Sequence, residues 1–347
     1  MRALLLCGSA ALLLAACGGG GSAPRPPVVT PDPEPDPDPV TGQVCLDPVT
    51  VGAGDPREGL DPALPPSGNF DLLTWRLDTP VVDPSDGDSA SISERELDAG
   101  YILASGGDQG GFETAADGGL RFTVSPNGPT TSGSSFPRSE LREMLRRGDT
   151  SIRTQGVTRN NWVMETAPLT SRQAAGGVNG DMCVTLAVNS VTSTGDANQI
   201  GRIVIGQIHG AQDEPIRLYY RKLPGNARGA IYFAHEPTEA SGLPEVFYEM
   251  IGTRSRSAPD PAGGIPLGDV FSYTISLRGD DLTVTVYRDG EDPLTRTVDI
   301  SASGYSAADE WMYFKVGAYL QDNTSQATDL ARVTVYRIEK THDAPPS

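Results

Sequence analysis

The stretch Trp311-Met312-Tyr313-Phe314-Lys315-Val316-Gly317-Ala318-Tyr319-Leu320-Gln321 decides the fold class. Side chains of an extended strand alternate faces, so residues two apart share one. Here one face collects Tyr313, Lys315, Gly317, Tyr319 and Gln321, while Phe314, Val316, Ala318 and Leu320 take the other, over nine consecutive residues. Working outward, Leu282 to Tyr287 with the turn residues Asp289-Gly290 behind it, Phe271 to Leu277, Met182 to Val188 and Val333 to Ile338 also read as strands. Only Ser91 to Ala99 and Ala307 to Trp311 look helical, and both are short. With 40 glycines and 29 prolines in 347 residues, turns are many and long helices few. The expected body is all-β, a jelly-roll β-sandwich of two antiparallel sheets.

The formal charge is −18, from 27 Lys and Arg against 45 Asp and Glu, which argues against a nucleic-acid partner. No apolar run approaches the ~20 residues of a spanning helix. The longest, Ala3 to Ala16, is broken by Cys7, Gly8 and Ser9, and with Met1-Arg2 before it and Leu14-Ala15-Ala16-Cys17 at its end it resembles a bacterial lipoprotein leader. Residues 1–16 are then a signal peptide and Cys17 is the acylated first residue, so that membrane contact is through a lipid anchor. Residues 17–44, rich in Gly, Pro and Asp, form an extended tether. The segment 45–65 is a preamble, 66–341 the catalytic body, and 342–347 a tail. The expected location is the bacterial cell envelope, on the outer membrane, with the body periplasmic or surface-exposed. Cys45 and Cys183 remain as a candidate disulfide in that oxidising setting.

Three stripes carry unusual polar residues. Arg138, Glu140 and Arg142 share a strand face opposite Ser139 and Leu141, with Glu140 placed to aim the two guanidiniums. Gln207 and His209 project together, while Ile208 turns away with Val204. The third stripe is the opening stretch. Ordinary solvated strand faces carry Thr, Ser, Lys and Glu, whereas these pool Arg, Gln, Tyr and one of only three histidines. Together they suit a groove for a carboxylated sugar. Arg and Gln neutralise a uronate carboxylate and so stabilise the charge that develops when the C5 proton leaves. His and Tyr move protons, and the glycosidic bond breaks by β-elimination without water or metal.

These segments closely resemble the signature regions of alginate lyases of polysaccharide lyase family seven. The resemblance lies in Arg138-Ser139-Glu140-Leu141-Arg142-Glu143, Gln207-Ile208-His209 and Tyr313-Phe314-Lys315-Val316-Gly317-Ala318-Tyr319-Leu320-Gln321, in the family's order. Weaker similarity runs from near Phe70 to about Lys340. Val316, where the family usually shows Ala, is a small departure on the buried face. The resemblance implies a β-jelly roll whose concave sheet holds alginate. It makes Arg138 and Gln207 the carboxylate neutralisers, His209 the base toward guluronate and Tyr319 the acid. Toward mannuronate, Tyr319 serves as both base and acid. Tyr313, Arg142, Lys315 and Gln321 bind neighbouring sugars, Glu140 orients the arginines, and Ile208 accompanies activity on guluronate-containing blocks. The chain is expected to act as a monomer, with no cofactor.

Two other classes compete. A carbohydrate-binding surface lipoprotein on the same sandwich would need Arg and aromatics but not His209 and Tyr319. A glycosidase would need two carboxylates flanking the bond, and Glu96-Leu97-Asp98 begins like such a strand motif but continues into Ala99, Gly100 and Tyr101. His209, His235 and His342 show no zinc spacing, and no metal is expected.

Overall fold

The computed structural model describes residues 55–347. In chain order its strands are β1 (Trp75–Val82), β2 (Ser89–Ile92), β3 (Gly111–Thr114), β4 (Leu120–Val124), β5 (Arg138–Glu143), β6 (Trp162–Val163), β7 (Gly177–Ser190), β8 (Arg202–His209) and β9 (Ile216–Arg221). There follow β10 (Arg228–His235), β11 (Val246–Ile251), β12 (Ile265–Pro266), β13 (Val270–Arg278), β14 (Asp281–Tyr287), β15 (Leu294–Asp299), β16 (Tyr313–Leu320) and β17 (Ala331–Asp343). One sheet runs β11-β10-β9-β8-β16-β5-β1-β2 and the other β15-β14-β13-β7-β17-β4-β3. All pairings are antiparallel except the short one between β6 and β7. Strands distant in sequence lie side by side: β16 sits between β8 and β5, which brings all three polar stripes into one sheet.

The inner faces make one core. Leu141, Ile208, Phe314, Val316, Ala318 and Leu320 pack with Phe122, Leu186, Tyr273 and Val284 of the opposite sheet, all fully buried. Burying such side chains contributes about 1.5–3 kcal/mol each. At one end of this core stands a charged group. Glu143 Oε1 accepts from Lys340 Nζ at 2.9 Å and from His342 Nε2 at 2.9 Å, and its other oxygen accepts the Phe314 amide at 3.1 Å. Burial pushes this carboxyl up, but Lys340 and His342 outweigh it and hold it well below the usual carboxylate range. Glu143 thereby ties β5 to β17, and β17 continues through His342 and Asp343, past residue 341 where the sequence suggested a tail.

The helices differ from expectation. Ser91 and Ile92 belong to a strand, and the helix is confined to Glu94–Asp98, because Ser93 and Glu96 form a reciprocal capping box that fixes the start there. Ala307 to Trp311 is not helical: it turns through Ala307 N–H to Gly304 O and Glu310 N–H to Ala307 O, and the chain then extends so that Met312 pairs with Trp162. Cys183 lies buried on β7 and is disulfide-bonded; Cys45, like Cys17 and the whole of the tether, lies outside the described residues.

Candidate active site

The strand register sets the site. Lys315 pairs with Gln207 on one side and Arg142 on the other, and Arg142 with Arg76, giving one row across β8, β16, β5 and β1. In the next row Gly317 stands beside Glu140, and Glu140 beside Asp78. Tyr319 is level with Arg138 and with Val204, and Tyr313 is level with His209. His209, Gln207, Arg138, Lys315 and Tyr319 therefore come onto one face of one sheet, within three adjacent strands.

Gly317 belongs to this packing. Its φ is +144°, and a Cβ there would lie 2.6 Å from Ser139 O, so no larger residue fits between the two strands without moving backbone. One residue falls on the unexpected face. Simple alternation puts Val204 with Ile208, but Val204 clusters with Tyr319, Tyr219 and Tyr232 on the site side, while Ile205 and Ile208 are both in the core. The register of β8 shifts between Val204 and Gly206 against β9, and at the same place against β16. This bulge resets the phase. It sits where Tyr273 comes through the core to donate to Ile205 O at 2.8 Å.

A solvated sheet face would leave these polar groups wet. Instead Arg138, Glu140, Arg142, Gln207, Lys315, Tyr319 and Gln321 are only 0–8% exposed. Burial of charge is tolerated through pairing. Glu140 is the hub: Oε2 accepts from Arg138 Nη1 at 3.1 Å and from Lys315 Nζ at 2.7 Å, and Oε1 accepts from Gln207 Nε2 at 2.5 Å. Lys315 also reaches Asp78 Oδ2 at 3.3 Å, and Asp78 Oδ1 takes Arg76 at 3.0 Å. Burial raises the Asp78 carboxyl, but Lys315, Arg76 and Arg138 together hold it well below its ordinary value. Glu140 thus aims Arg138 and Lys315 rather than two arginines. Arg142 is spent internally, on Glu143 O, Thr154 O and Asn161 Oδ1 at 2.7–3.0 Å, with its guanidinium 4.0 Å above the Tyr313 ring. It braces that ring, which in turn stacks on His209 at 5.0 Å and 11°.

The two candidate proton carriers, His209 and Tyr319, are held at defined atoms. His209 Nδ1 lies 2.8 Å from Gly210 O; a carbonyl only accepts, so Nδ1 carries the proton and Nε2 keeps its lone pair. Burial first, then Lys315 and Arg138, bring the imidazole down to about 3, although the ring is 20% exposed and water softens the first of these. The bond to Gly210 O and the nearby Glu140 pull the other way, and Glu214 Oε1 lies 3.3 Å from Nε2. The Tyr319 hydroxyl is 2.9 Å from Ser134 Oγ, and the Arg138 guanidinium lies 3.8 Å over the Tyr319 ring. Ser134 is itself fixed, donating to Phe136 O at 3.0 Å and accepting from Phe136 N–H at 3.1 Å. Three atoms in this cluster are buried without a partner: Arg138 Nε, Gln207 Oε1 and Gln321 Nε2. Orphaned polar atoms cost free energy, so the site carries polar groups that its own fold leaves unsatisfied.

Sequence reading alone did not find Asp78, Ser134 or Glu214. Asp78 is one acid among many in the sequence, and Ser134 and Glu214 lie in loops whose path the pattern does not specify. Two other residues fall outside the site. His235 is a buried structural residue, bonded to Pro215 O at 2.8 Å and Ser303 Oγ at 2.6 Å. Glu96 and Asp98 lie on the short helix Glu94–Asp98, where the Glu96 carboxylate accepts from the Ser93 backbone N–H, so the carboxylate pair a glycosidase requires is not built from them.

A family profile described as alginate lyase matches residues 70–342. An alginate lyase of Klebsiella pneumoniae is 48% identical over 288 residues, spanning 80% of this chain and 92% of that protein. The crystal structure of the Klebsiella pneumoniae alginate lyase superposes with a TM-score of 0.78 at 46% identity, covering 81% of this chain and all of that one (100%). An alginate lyase structure from Pseudomonas aeruginosa gives a TM-score of 0.56 at 28% identity, over 79% of this chain and 100% of its own. The fold, the three polar stripes on one sheet face and these similarities lead to one assignment: this chain belongs to the alginate lyase family.

Proposed function

We propose that this chain cleaves alginate by β-elimination, leaving a 4,5-unsaturated uronate at the new end. The observation that carries the reading is the conjunction of an imidazole whose proton is fixed on Nδ1, a phenol held by Ser134, and an Arg138 and a Gln207 both braced by Glu140, all on one sheet face. Arg138 and the second Nε2–H of Gln207 neutralise the uronate carboxylate, while Gln207 Oε1 accepts a sugar hydroxyl. That neutralisation stabilises the enolate-like charge formed as the C5 proton departs. With guluronate, His209 Nε2 takes the proton and the Tyr319 hydroxyl protonates the leaving C4 oxygen. With mannuronate, whose C5 proton lies on the other side, Tyr319 performs both transfers. Lys315 and Arg142 act through the floor they organise, and Gln321 and Tyr313 take neighbouring sugars. The protein works as a monomer.

The purified body mixed with polyguluronate, polymannuronate and pectin tests this. Ultraviolet absorbance from a C4–C5 double bond should rise with one or both alginate blocks; binding with no rise would leave a carbohydrate-binding protein, and reducing ends without a rise a hydrolase. The leader pattern supports a lipid anchor at Cys17 in the bacterial envelope, with residues 17–44 as spacer. Cys17→Ser should release the protein from membranes if so. Cys45 is the proposed partner of Cys183, to be checked by a non-reducing peptide map.

A further inference from the structure

The catalytic face spends its cations internally. Arg138 and Lys315 pair with Glu140, and Arg142 with carbonyls. In a protein of net charge −18, capture of a long polyanion needs positive charge elsewhere. It is found at the β8–β11 end of the same sheet, in an open cleft of about 480 Å³ holding Arg202, Arg221, Arg254 and Arg256. Only one carboxylate, Glu249, lines this cleft. Glu249 is used by Thr253 Oγ1 and the Arg254 backbone N–H, not by a guanidinium. None of the four arginines has a carboxylate within ion-pair distance among the described residues.

The four differ in role: Arg202 donates to Gln321 O at 3.1 Å. Arg221 is buried and braces the cleft by donating to Ile200 O, Ala197 O and Arg254 O. Arg254 and Arg256 are exposed, and Arg254 lies 4.1 Å over the Phe247 ring. An aromatic floor joins the cleft to the catalytic residues. Tyr319 clusters with Val204, Tyr219 and Tyr232, the two tyrosine rings stack at 4.8 Å, and Phe247 packs against both. Tyr319, Val204, Tyr219 and Tyr232 follow one another across β16, β8, β9 and β10, so Tyr232 stands about 14 Å from Tyr319 at ~4.8 Å per strand. Guanidiniums above aromatic rings match the carboxylate and the apolar ring face of an acidic sugar.

We propose that this cleft is a distal uronate subsite, which grips carboxylates of the polymer several sugars from the scissile bond and so makes the enzyme favour long chains. The proposal rests on the reading of the chain as a polyuronate lyase. Its test compares the wild type, Arg254→Glu/Arg256→Glu and Arg254→Lys/Arg256→Lys on polyuronate and on a uronate trisaccharide. The charge reversal should raise KM for the polymer about tenfold, leave kcat within a factor of about two, leave trisaccharide kinetics unchanged and flatten the salt dependence of polymer KM. The lysine pair should keep most of the wild-type polymer KM. An unchanged polymer KM, or equal losses on both substrates, would overturn the subsite. If the wild type itself forms no unsaturated product, the lyase reading fails instead, so the two failures are told apart.

Discussion

Two regions of one sheet face handle charge in opposite ways. At the centre, around Glu140, every cation is bonded within the protein and the whole cluster is buried. At the β11 end, Arg254 and Arg256 stand exposed and without a carboxylate partner. On the proposed function the centre is preorganised: its side chains are already fixed by one another before charge develops. On the proposed subsite the edge serves capture, where long-range attraction counts and geometry counts less. That proposal reconciles an acidic protein with a polyanionic substrate, since the unpaired positive charge is local and displaced from the proposed catalytic residues.

That contrast can be broken by substitution, and the largest effect falls at the centre. Glu140→Gln removes the shared partner of Arg138 and Lys315 and should cost about 3–5 kcal/mol of stability by denaturant unfolding, with activity lost. Arg254→Glu at the edge should change stability by less than about 0.5 kcal/mol; equal costs at both places would erase the distinction. Gly317→Ala comes next, at about 1–3 kcal/mol, since its Cβ would press on Ser139 O at a φ of +144°. Ser134→Ala releases the Tyr319 hydroxyl from its 2.9 Å partner and should lower kcat about two- to tenfold with KM little changed.

The smallest effect concerns pH. The His209 imidazole is brought down to about 3 from an ordinary 6.5, so the neutral, base-competent form persists as pH falls through the ordinary value. kcat/KM on polyguluronate should therefore show no inflection near pH 6.5 and should hold to about pH 5. An acid limb centred near 6.5 would mean that Glu214, not burial, governs the ring.

How much of this is legible in the sequence follows from what each feature depends on. The unbroken alternation from Tyr313 to Gln321 depends only on pleating, and it gave both the strand and the site-facing set. Alternation fails at Val204, because a bulge is set by a tertiary contact, here Tyr273 reaching Ile205 O, that no local pattern announces. The apparent helix at Ala307 to Trp311 has helical composition but is overruled by the pairing of Met312 with Trp162. Ser134 and Glu214 acquire roles only through loop paths, and Arg254 and Arg256 become a cleft only because β11 is folded beside β10. Asp78 could have been suspected from the alternation Trp75-Arg76-Leu77-Asp78, which puts an arginine and an acid two apart on one strand face.

The assignment of proton transfer to the Tyr319 phenol is tested most directly by Tyr319→Phe, assayed for absorbance at the new C4–C5 double bond and, in parallel, for polyuronate binding. The predicted result is no detectable unsaturated product on either alginate block, with near-wild-type binding and an unchanged circular dichroism spectrum. Undiminished turnover by the phenylalanine variant would contradict the account.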